Sequence, residues 1–248
     1  MRRLLWVPVL AALIGLWQAY VSLGHVSSYV LPGPGGVARA LYDNRTPLAH
    51  QAVVTGKEAV LGFLLAVAVG LAAAILLHGL PRLRLATYPV LVASQSLPVV
   101  AVAALLEVAF GFGLGPKLAI VALVCFFPVT VNAIDGFESV DPAYAAMMRT
   151  LHASRVAIFR RVEFPSALPA IFSGARVAAS YAAVAALFAE YAGGESLTSP
   201  GLSASLRSAQ FDTALIGAAV VVLAAIALAL FAAVGLLERL VAPWGRRG

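Results

Sequence analysis

Apolar runs long enough to cross a bilayer dominate this chain of 248 residues. A helix needs about 20 apolar residues to span the hydrocarbon core, and it satisfies its own backbone hydrogen bonds in lipid. The sequence therefore predicts an all-α, polytopic membrane protein with about six spans in a single transmembrane domain over residues 1–248. The predicted spans are 4–22, 54–77, 86–109, 116–134, 168–189 and 213–236.

The composition supports the membrane class. Hydrophobic residues make up 62% of the chain and charged residues 11%, against about 25% charged residues in soluble domains. The net charge of +6 is better explained by arginines on inner loops than by a nucleic-acid partner. The single cysteine, Cys125, lies in an apolar run without neighbouring metal ligands, which predicts a buried thiol and no metal site.

Basic residues predict the orientation in the membrane. With the N-terminus in the cytoplasm, most arginines, including Arg82 and Arg84, fall on the inner side, whereas Arg39 and Lys117 fall outside. We therefore expect a cell-membrane protein with both termini in the cytoplasm. The first apolar run lacks a small-residue cleavage site, so it is interpreted as a retained helix rather than a signal peptide.

One loop differs from the rest, and we call it the basic insert (residues 135–165). Asp141 and Pro142 predict a helix start, and Ser154 predicts a second one. Pro165 is expected to end the second helix and Pro169 to begin the next span. The insert either offers a face to a soluble partner or anchors to anionic lipid as an interfacial amphipathic helix.

The basic insert resembles the signature loop of ABC importer permeases, E-A-A-x3-G-x9-I-x-L-P. The segment VEFP at 162–165 matches I-x-L-P, His152 takes the place of the glycine, and AMM at 146–148 takes the place of E-A-A. A glycine adopts a left-handed backbone readily, and a histidine does so less well. His152 could also be a pH-sensing or metal residue, or an ordinary surface residue.

This resemblance implies the type I ABC importer permease fold, with cytoplasmic coupling helices that dock on an ATP-hydrolysing subunit. It assigns docking to ten residues of the insert: Ala146, Met147, Met148, Arg149, Leu151, His152, Ala153, Ser154, Phe159 and Pro165.

Further motifs resemble the nitrate, sulfonate, taurine and pyrimidine-precursor branch of these permeases, among them LPGPGGVARAL, SQSLPVVAVAAL and FGFGLGPK. The segments MMRTLHAS and LFAEYAG are most similar to permeases for the hydroxymethylpyrimidine precursor of thiamine. The alternative substrates are sulfonate, taurine, nitrate or another vitamin such as riboflavin.

The resemblance implies no catalysis and no cofactor on this chain, with ATP and Mg²⁺ held by two copies of a partner ATPase. It further implies a second permease copy, contact with membrane lipid, and a substrate-binding protein docked on 24–50 and 190–212.

Polar residues within the apolar runs are candidates for the substrate pathway. Glu107 could accept hydrogen bonds from ring amino groups, and Glu190 could form an outer gate. Both could instead be interfacial acids. Five neutral polar residues could either line the pathway or take part in helix packing. They are Gln95, Ser96, Asn132, Ser180 and Tyr181. A small-residue seam at Gly174, Ala178 and Ala182 would admit another helix, such as one from a second copy.

Two other classes fit less well. An intramembrane enzyme would be expected to show a motif such as H-E-x-x-H or G-x-S-x-G, and neither occurs in the sequence. A secondary transporter driven by an ion gradient predicts midplane acids and an internal repeat, whereas the acids here lie near span ends.

Overall fold

The computed structural model describes residues 6–24, 26–27, 29–96, 98–111, 113–193, 200–209 and 212–246. Every regular element in these residues is helical. The helices are α1 Trp6–Leu23, α2 Pro34–Asp43, α3 Arg45–Gly79, α4 Pro81–Ser94, α5 Val99–Phe110, α6 Leu114–Glu138, α7 Pro142–Thr150, α8 Arg155–Ile158, α9 Phe164–Ala192, α10 Leu202–Ser208 and α11 Thr213–Val241. A π-helical segment, Phe159–Glu163, joins α8 to α9, and a 3₁₀ turn, Pro243–Arg246, follows α11.

Four continuous helices in the described residues are long and apolar enough to cross a membrane: 45–79, 114–138, 155–192 and 213–241. The pair α4 and α5 passes the same test together, and α1 contributes a shorter apolar helix. This confirms the predicted all-α membrane fold.

The third predicted span, 86–109, is not a single helix. It consists of α4 and α5, which meet at an angle of 99°. Pro98 lies at the break with an extended backbone. A proline lacks the N–H that a helix interior needs and disfavours helical backbone in the preceding residue. The chain therefore turns instead of passing straight through.

The residues form two compact units, 1–55 with 195–225 and 56–194 with 226–248. In the first unit, the Leu202 N–H donates to Thr55 Oγ1 at 3.0 Å and Ser205 Oγ donates to Gln51 Oε1 at 2.6 Å. These bonds hold α10 against the first turns of α3. Residues 194–199, within the segment predicted to meet a binding protein, lie outside the described residues.

The second unit is built on the contact between α6 and α9. Gly174, Ala178 and Ala182 are buried in it. A Cβ on Gly174 would lie 2.5 Å from the Pro128 carbonyl oxygen and 2.6 Å from Asn132 Cβ. The seam therefore admits another helix closely, as predicted, and that helix is α6 of the same chain rather than one of a second copy. Cys125 is a buried free thiol in this contact, as predicted.

The α3 helix also packs closely on α6 in this unit. A Cβ on Gly62 would lie 2.5 Å from Val121 Cβ, and the Thr130 hydroxyl donates to the Gly70 carbonyl at 3.3 Å. Small residues on α3 thus let the two backbones approach, as is common between membrane helices.

Candidate docking insert and translocation cavity

The first half of the basic insert is a short helix with an apolar stripe facing outward. Asp141 Oδ1 accepts the Ala143 N–H at 2.8 Å, and Pro142 occupies the first turn, so the predicted cap is present. Tyr144, Met147 and Leu151 follow at spacings of three and four residues, which place them on one helix face. All three are exposed, Leu151 at 70%. We call these three residues the exposed stripe.

The junction after α7 has a left-handed backbone at His152, with φ 55°. This is the position where the signature loop carries glycine. The strain expected at this position from the sequence is therefore present: an L-residue in this conformation costs roughly 1–2 kcal/mol. The Ala153 N–H donates to the Met148 carbonyl across the turn at 3.0 Å, which closes it.

The second half of the insert departs from the prediction. Ser154 Oγ accepts the Ala157 N–H at 3.3 Å and so caps α8, as expected. Pro165, however, does not end the helix, and Pro169 lies inside α9 rather than at its start. The π-helical segment wraps one extra residue just before Pro165. This rearranges the local hydrogen bonds that proline would disrupt and lets helix 155–192 continue.

The residues predicted to dock an ATPase divide by exposure. Six are exposed: Ala146, Met147, Arg149, Leu151, His152 and Ser154. Four are half-buried: Met148, Ala153, Phe159 and Pro165. Tyr144 and Val156 are also exposed, and the sequence analysis did not include them. Both are large apolar side chains in a polar loop, and this could have indicated them as docking residues.

A cavity of about 380 Å³ lies between α4, α5, α6 and α9. Two predicted pathway residues, Gln95 and Tyr181, line it, and Phe127 contributes a second aromatic ring. The described lining consists entirely of neutral residues: Ser94, Gln95, Val99, Val102, Leu123, Val124, Phe127, Pro128, Val177 and Tyr181. A mostly apolar lining with a few polar groups is typical of small-molecule sites.

The other neutral candidates do not line this cavity in the described residues. Asn132 Nδ2 donates to the Pro128 carbonyl at 2.7 Å. Ser180 Oγ donates to the Arg176 carbonyl of its own helix at 3.1 Å. Ser96 is exposed after α4. For Asn132, which also lies against Gly174 of α9, the structure favours the helix-packing alternative.

The acids Glu107 and Glu190 are each only 1% exposed, so neither is an interfacial acid reaching water. Glu107 lies against the backbone of Gly193, just beyond α9. Glu190 neighbours Glu58, which is paired with Lys117 at 2.9 Å. The described cavity lining includes neither acid. No group of three potential metal ligands forms a metal site among the described residues.

Comparison with known proteins identifies the class. Residues 66–247 match the family described as binding-protein-dependent transport system inner membrane component. The chain belongs to this family.

Individual relatives agree with this membership. A probable ABC transporter permease protein of Haemophilus influenzae is 33% identical over 90% of each chain. The formylaminopyrimidine transport permease protein ThiX of Halalkalibacterium halodurans is 32% identical over 88% of this chain and 87% of its own. The riboflavin transport system permease protein RibX of Chloroflexus aurantiacus is 36% identical over 97% and 90%.

The protein is therefore a multi-pass membrane permease subunit of an ABC importer. Membership implies two kinds of partner, an ATPase subunit and a substrate-binding protein.

Polar contacts that local sequence patterns do not indicate surround the permease's basic insert. His78 at the end of α3 contacts Glu163 with Nε2 and Oε2 3.0 Å apart. Arg84 on α4 pairs with Glu138 at the end of α6. Tyr88 on α4 donates to Asp135 Oδ1 at 3.1 Å. These partners are far apart in sequence, so no local pattern could have indicated them.

A further pair lies deeper in the permease. Arg176 on α9 pairs with Glu238 on α11, and its guanidinium lies 5.7 Å from the centre of the Phe231 ring. The structure accounts for Arg176 as a residue that joins two spanning helices.

Proposed function

We propose that this permease carries a neutral pyrimidine of the hydroxymethylpyrimidine type, a thiamine precursor, across the cell membrane. The observation that supports the substrate is the cavity with its neutral lining, two aromatic rings and the Gln95 amide. An amide both donates and accepts, so it can pair with the ring nitrogen and amino group of an aminopyrimidine. The aromatic rings can stack on a flat heterocycle.

The same lining argues against anionic substrates. An alkylsulfonate or nitrate carries a negative charge into the pathway, and taurine carries a sulfonate and an ammonium group; burying a charge without a partner is costly. Arginine is the usual partner for such oxyanions, whereas the described lining is neutral. The similarity to a formylaminopyrimidine permease agrees with a pyrimidine, and that to a riboflavin permease makes riboflavin the competitor to test.

The proposed complex has two copies of this chain, two ATPase subunits and one substrate-binding protein. Tyr181 borders the cavity and is 54% exposed, which leaves a wall that a second copy can complete. ATP and Mg²⁺ bind to the ATPase subunits, which dock on the exposed stripe at the cytoplasmic side. Both termini of this chain lie on that side.

Transport proceeds by alternating access. A loaded binding protein docks outside on 24–50 and 190–212, and closure of the ATPase dimer on ATP moves the two inserts and opens the pathway outward. Hydrolysis then resets the pathway toward the cytoplasm.

The test measures ATP hydrolysis by the permease–ATPase complex in nanodiscs, with its binding protein loaded with hydroxymethylpyrimidine, riboflavin or taurine. We expect hydroxymethylpyrimidine to stimulate hydrolysis several-fold and the other two not to. Stimulation by riboflavin or taurine alone would replace the proposed substrate and keep the importer.

The cavity is tested separately by uptake into proteoliposomes. Tyr181→Ala and Gln95→Ala should each slow pyrimidine uptake about fivefold, since each removes a ring or amide contact worth about 1 kcal/mol. Ser180→Ala is the matched control, because its hydroxyl bonds only to its own helix in the described contacts. Equal uptake by all three variants would remove the cavity from the pathway.

A further inference from the structure

The α3 helix ends beside the basic insert, although α4, α5 and α6 separate the two along the chain. The insert continues directly from α6 and leads directly into α9. Motion of the insert therefore reaches those two helices through the backbone. The contacts that the end of α3 makes with the insert give that motion a direct route to α3, which makes them a control point for transport.

One polar contact joins α3 to the insert at this junction. His78, in the last turn of α3, places Nε2 3.0 Å from Glu163 Oε2. Because a carboxylate accepts, we assign the His78 Nε2–H as the donor. Both side chains are 23% exposed. This partial shielding strengthens such a bond relative to a fully solvated pair.

Aromatic packing fixes the geometry of this contact. The His78 ring centre lies 4.9 Å from that of Phe137 on α6 and 6.0 Å from that of Phe159 in the π-helical segment. Phe137 and Phe159 are themselves 5.6 Å apart. The histidine is thus held between the helix that enters the insert and the segment that leaves it.

The π-helical segment sets the position of Glu163. It ends at Glu163, where the Phe164 N–H donates to the Phe159 carbonyl five residues back. One extra residue in a helical turn rotates the following side chains by about 100° relative to a continuous α-helix. Segments of this kind are frequent at functional sites.

The α3 helix extends from this contact to buried charges in its first half. Glu58 pairs with Lys117 about 30 Å away along the helix. In between, α3 packs closely on α6 at Gly62. A displacement of His78 is therefore transmitted along a stiff element toward the side where the binding protein is proposed to dock.

We propose that the His78–Glu163 hydrogen bond is the link through which the basic insert moves α3, and that it couples ATP binding to opening of the pathway. His78 and Glu163 are positioning residues for transport. This inference rests on the proposed docking of the ATPase at the insert, and it does not depend on which substrate is carried.

The test uses a nitroxide label on Leu76→Cys in the permease–ATPase complex. Leu76 is 58% exposed on the last turns of α3, and the native Cys125 is fully buried. Trapping the ATPase subunits with ADP and vanadate after addition of ATP should change the label's spectrum in the otherwise unaltered chain. The change should survive in His78→Gln, which keeps a donor for Glu163, and disappear in His78→Leu, which fills similar space without one.

The second readout is the amount of substrate transported per ATP hydrolysed. We expect His78→Leu and Glu163→Ala each to lower it at least threefold, Glu163→Gln to retain it, and the double variant to be no worse than either single change. Arg84→Ala is the matched control, because it breaks another ion pair at the insert and should leave the ratio unchanged.

The proposal is overturned by equal spectral responses of His78→Gln and His78→Leu, or by no response in the unaltered complex. Failure of the pyrimidine to stimulate the unaltered complex counts against the proposed substrate alone, since the vanadate experiment needs no substrate.

Discussion

The α6–α9 seam and the basic insert use the same kind of secondary structure for opposite purposes. In the seam, Gly174 and its small neighbours are buried so that two helices can approach. In the insert, the large apolar side chains of the exposed stripe point outward, and Ile158 is the buried residue of its second helix. Stability and partner binding are therefore placed on different residues, and they should respond separately to mutation.

The largest expected effect is on the seam. Gly174→Leu should destabilise the permease by about 3 kcal/mol, because the new side chain meets the backbone of Pro128, which cannot move aside. The midpoint of thermal unfolding in detergent measures this. Gly56→Ala is the control, since nothing lies within 4 Å of its Cβ position, and it should leave the midpoint unchanged or raise it. Equal midpoints for the two variants would contradict the close packing of α9 on α6 at Gly174.

A change in the exposed stripe should weaken docking of the ATPase subunit and leave the stability of the permease unaltered. Leu151→Asp should cost about 2 kcal/mol of docking free energy, as expected for an apolar anchor at an interface centre, with no loss of thermal stability. Co-purification of the ATPase subunit and pyrimidine uptake should both fall at least tenfold. Leu151→Met keeps the apolar contact and should retain both. Normal uptake by Leu151→Asp would mean that the stripe serves the lipid interface instead.

The junction between the two insert helices should respond in the opposite direction. His152→Gly should stabilise the insert by about 1 kcal/mol, because it removes the steric cost of the left-handed backbone. Hydrogen exchange of the amides in 142–158 measures this local stability. Thr150→Gly, in the helix just before the junction, should instead speed exchange. Faster exchange in His152→Gly would show that the imidazole makes a stabilising contact.

The smallest expected effect is the loss of a helix cap. Asp141→Ala should destabilise α7 by about 0.5 kcal/mol, since the Ala143 N–H loses its acceptor. The same exchange experiment detects it, and Asp141→Asn, which can still cap, serves as control. Indistinguishable exchange in the Ala and Asn variants would mean that the insert is held by its ends alone.

Local patterns predicted much of this fold. The span at 116–134 corresponds to Leu114–Glu138, and the caps at Asp141 and Ser154 are present. Each depends on residues close in sequence, so hydropathy and capping preferences were sufficient. The left-handed junction at His152 was also indicated, through the glycine that the signature loop carries there.

Tertiary features were not predictable in the same way. The break before Pro98 and the π-helical segment before Pro165 each depend on how a proline is accommodated by its surroundings. The partners of His78 and Glu58 are distant in sequence, and only the packed helices bring them together. The cavity is lined by Gln95 and Tyr181 but not by Glu107, which is buried elsewhere. The sequence could not separate these candidates, because position along a span does not show which neighbours a side chain will have.

The most direct test of the account is the protection of the exposed stripe by the ATPase subunit. Leu151→Cys places a reactive thiol on the stripe, and the buried Cys125 gives little background. We predict rapid maleimide labelling of the isolated permease and strong protection in the assembled complex. Tyr42→Cys, also exposed but outside the insert, should label equally in both. Equal labelling of Leu151→Cys with and without the ATPase subunit would contradict the assignment of the basic insert as its docking site.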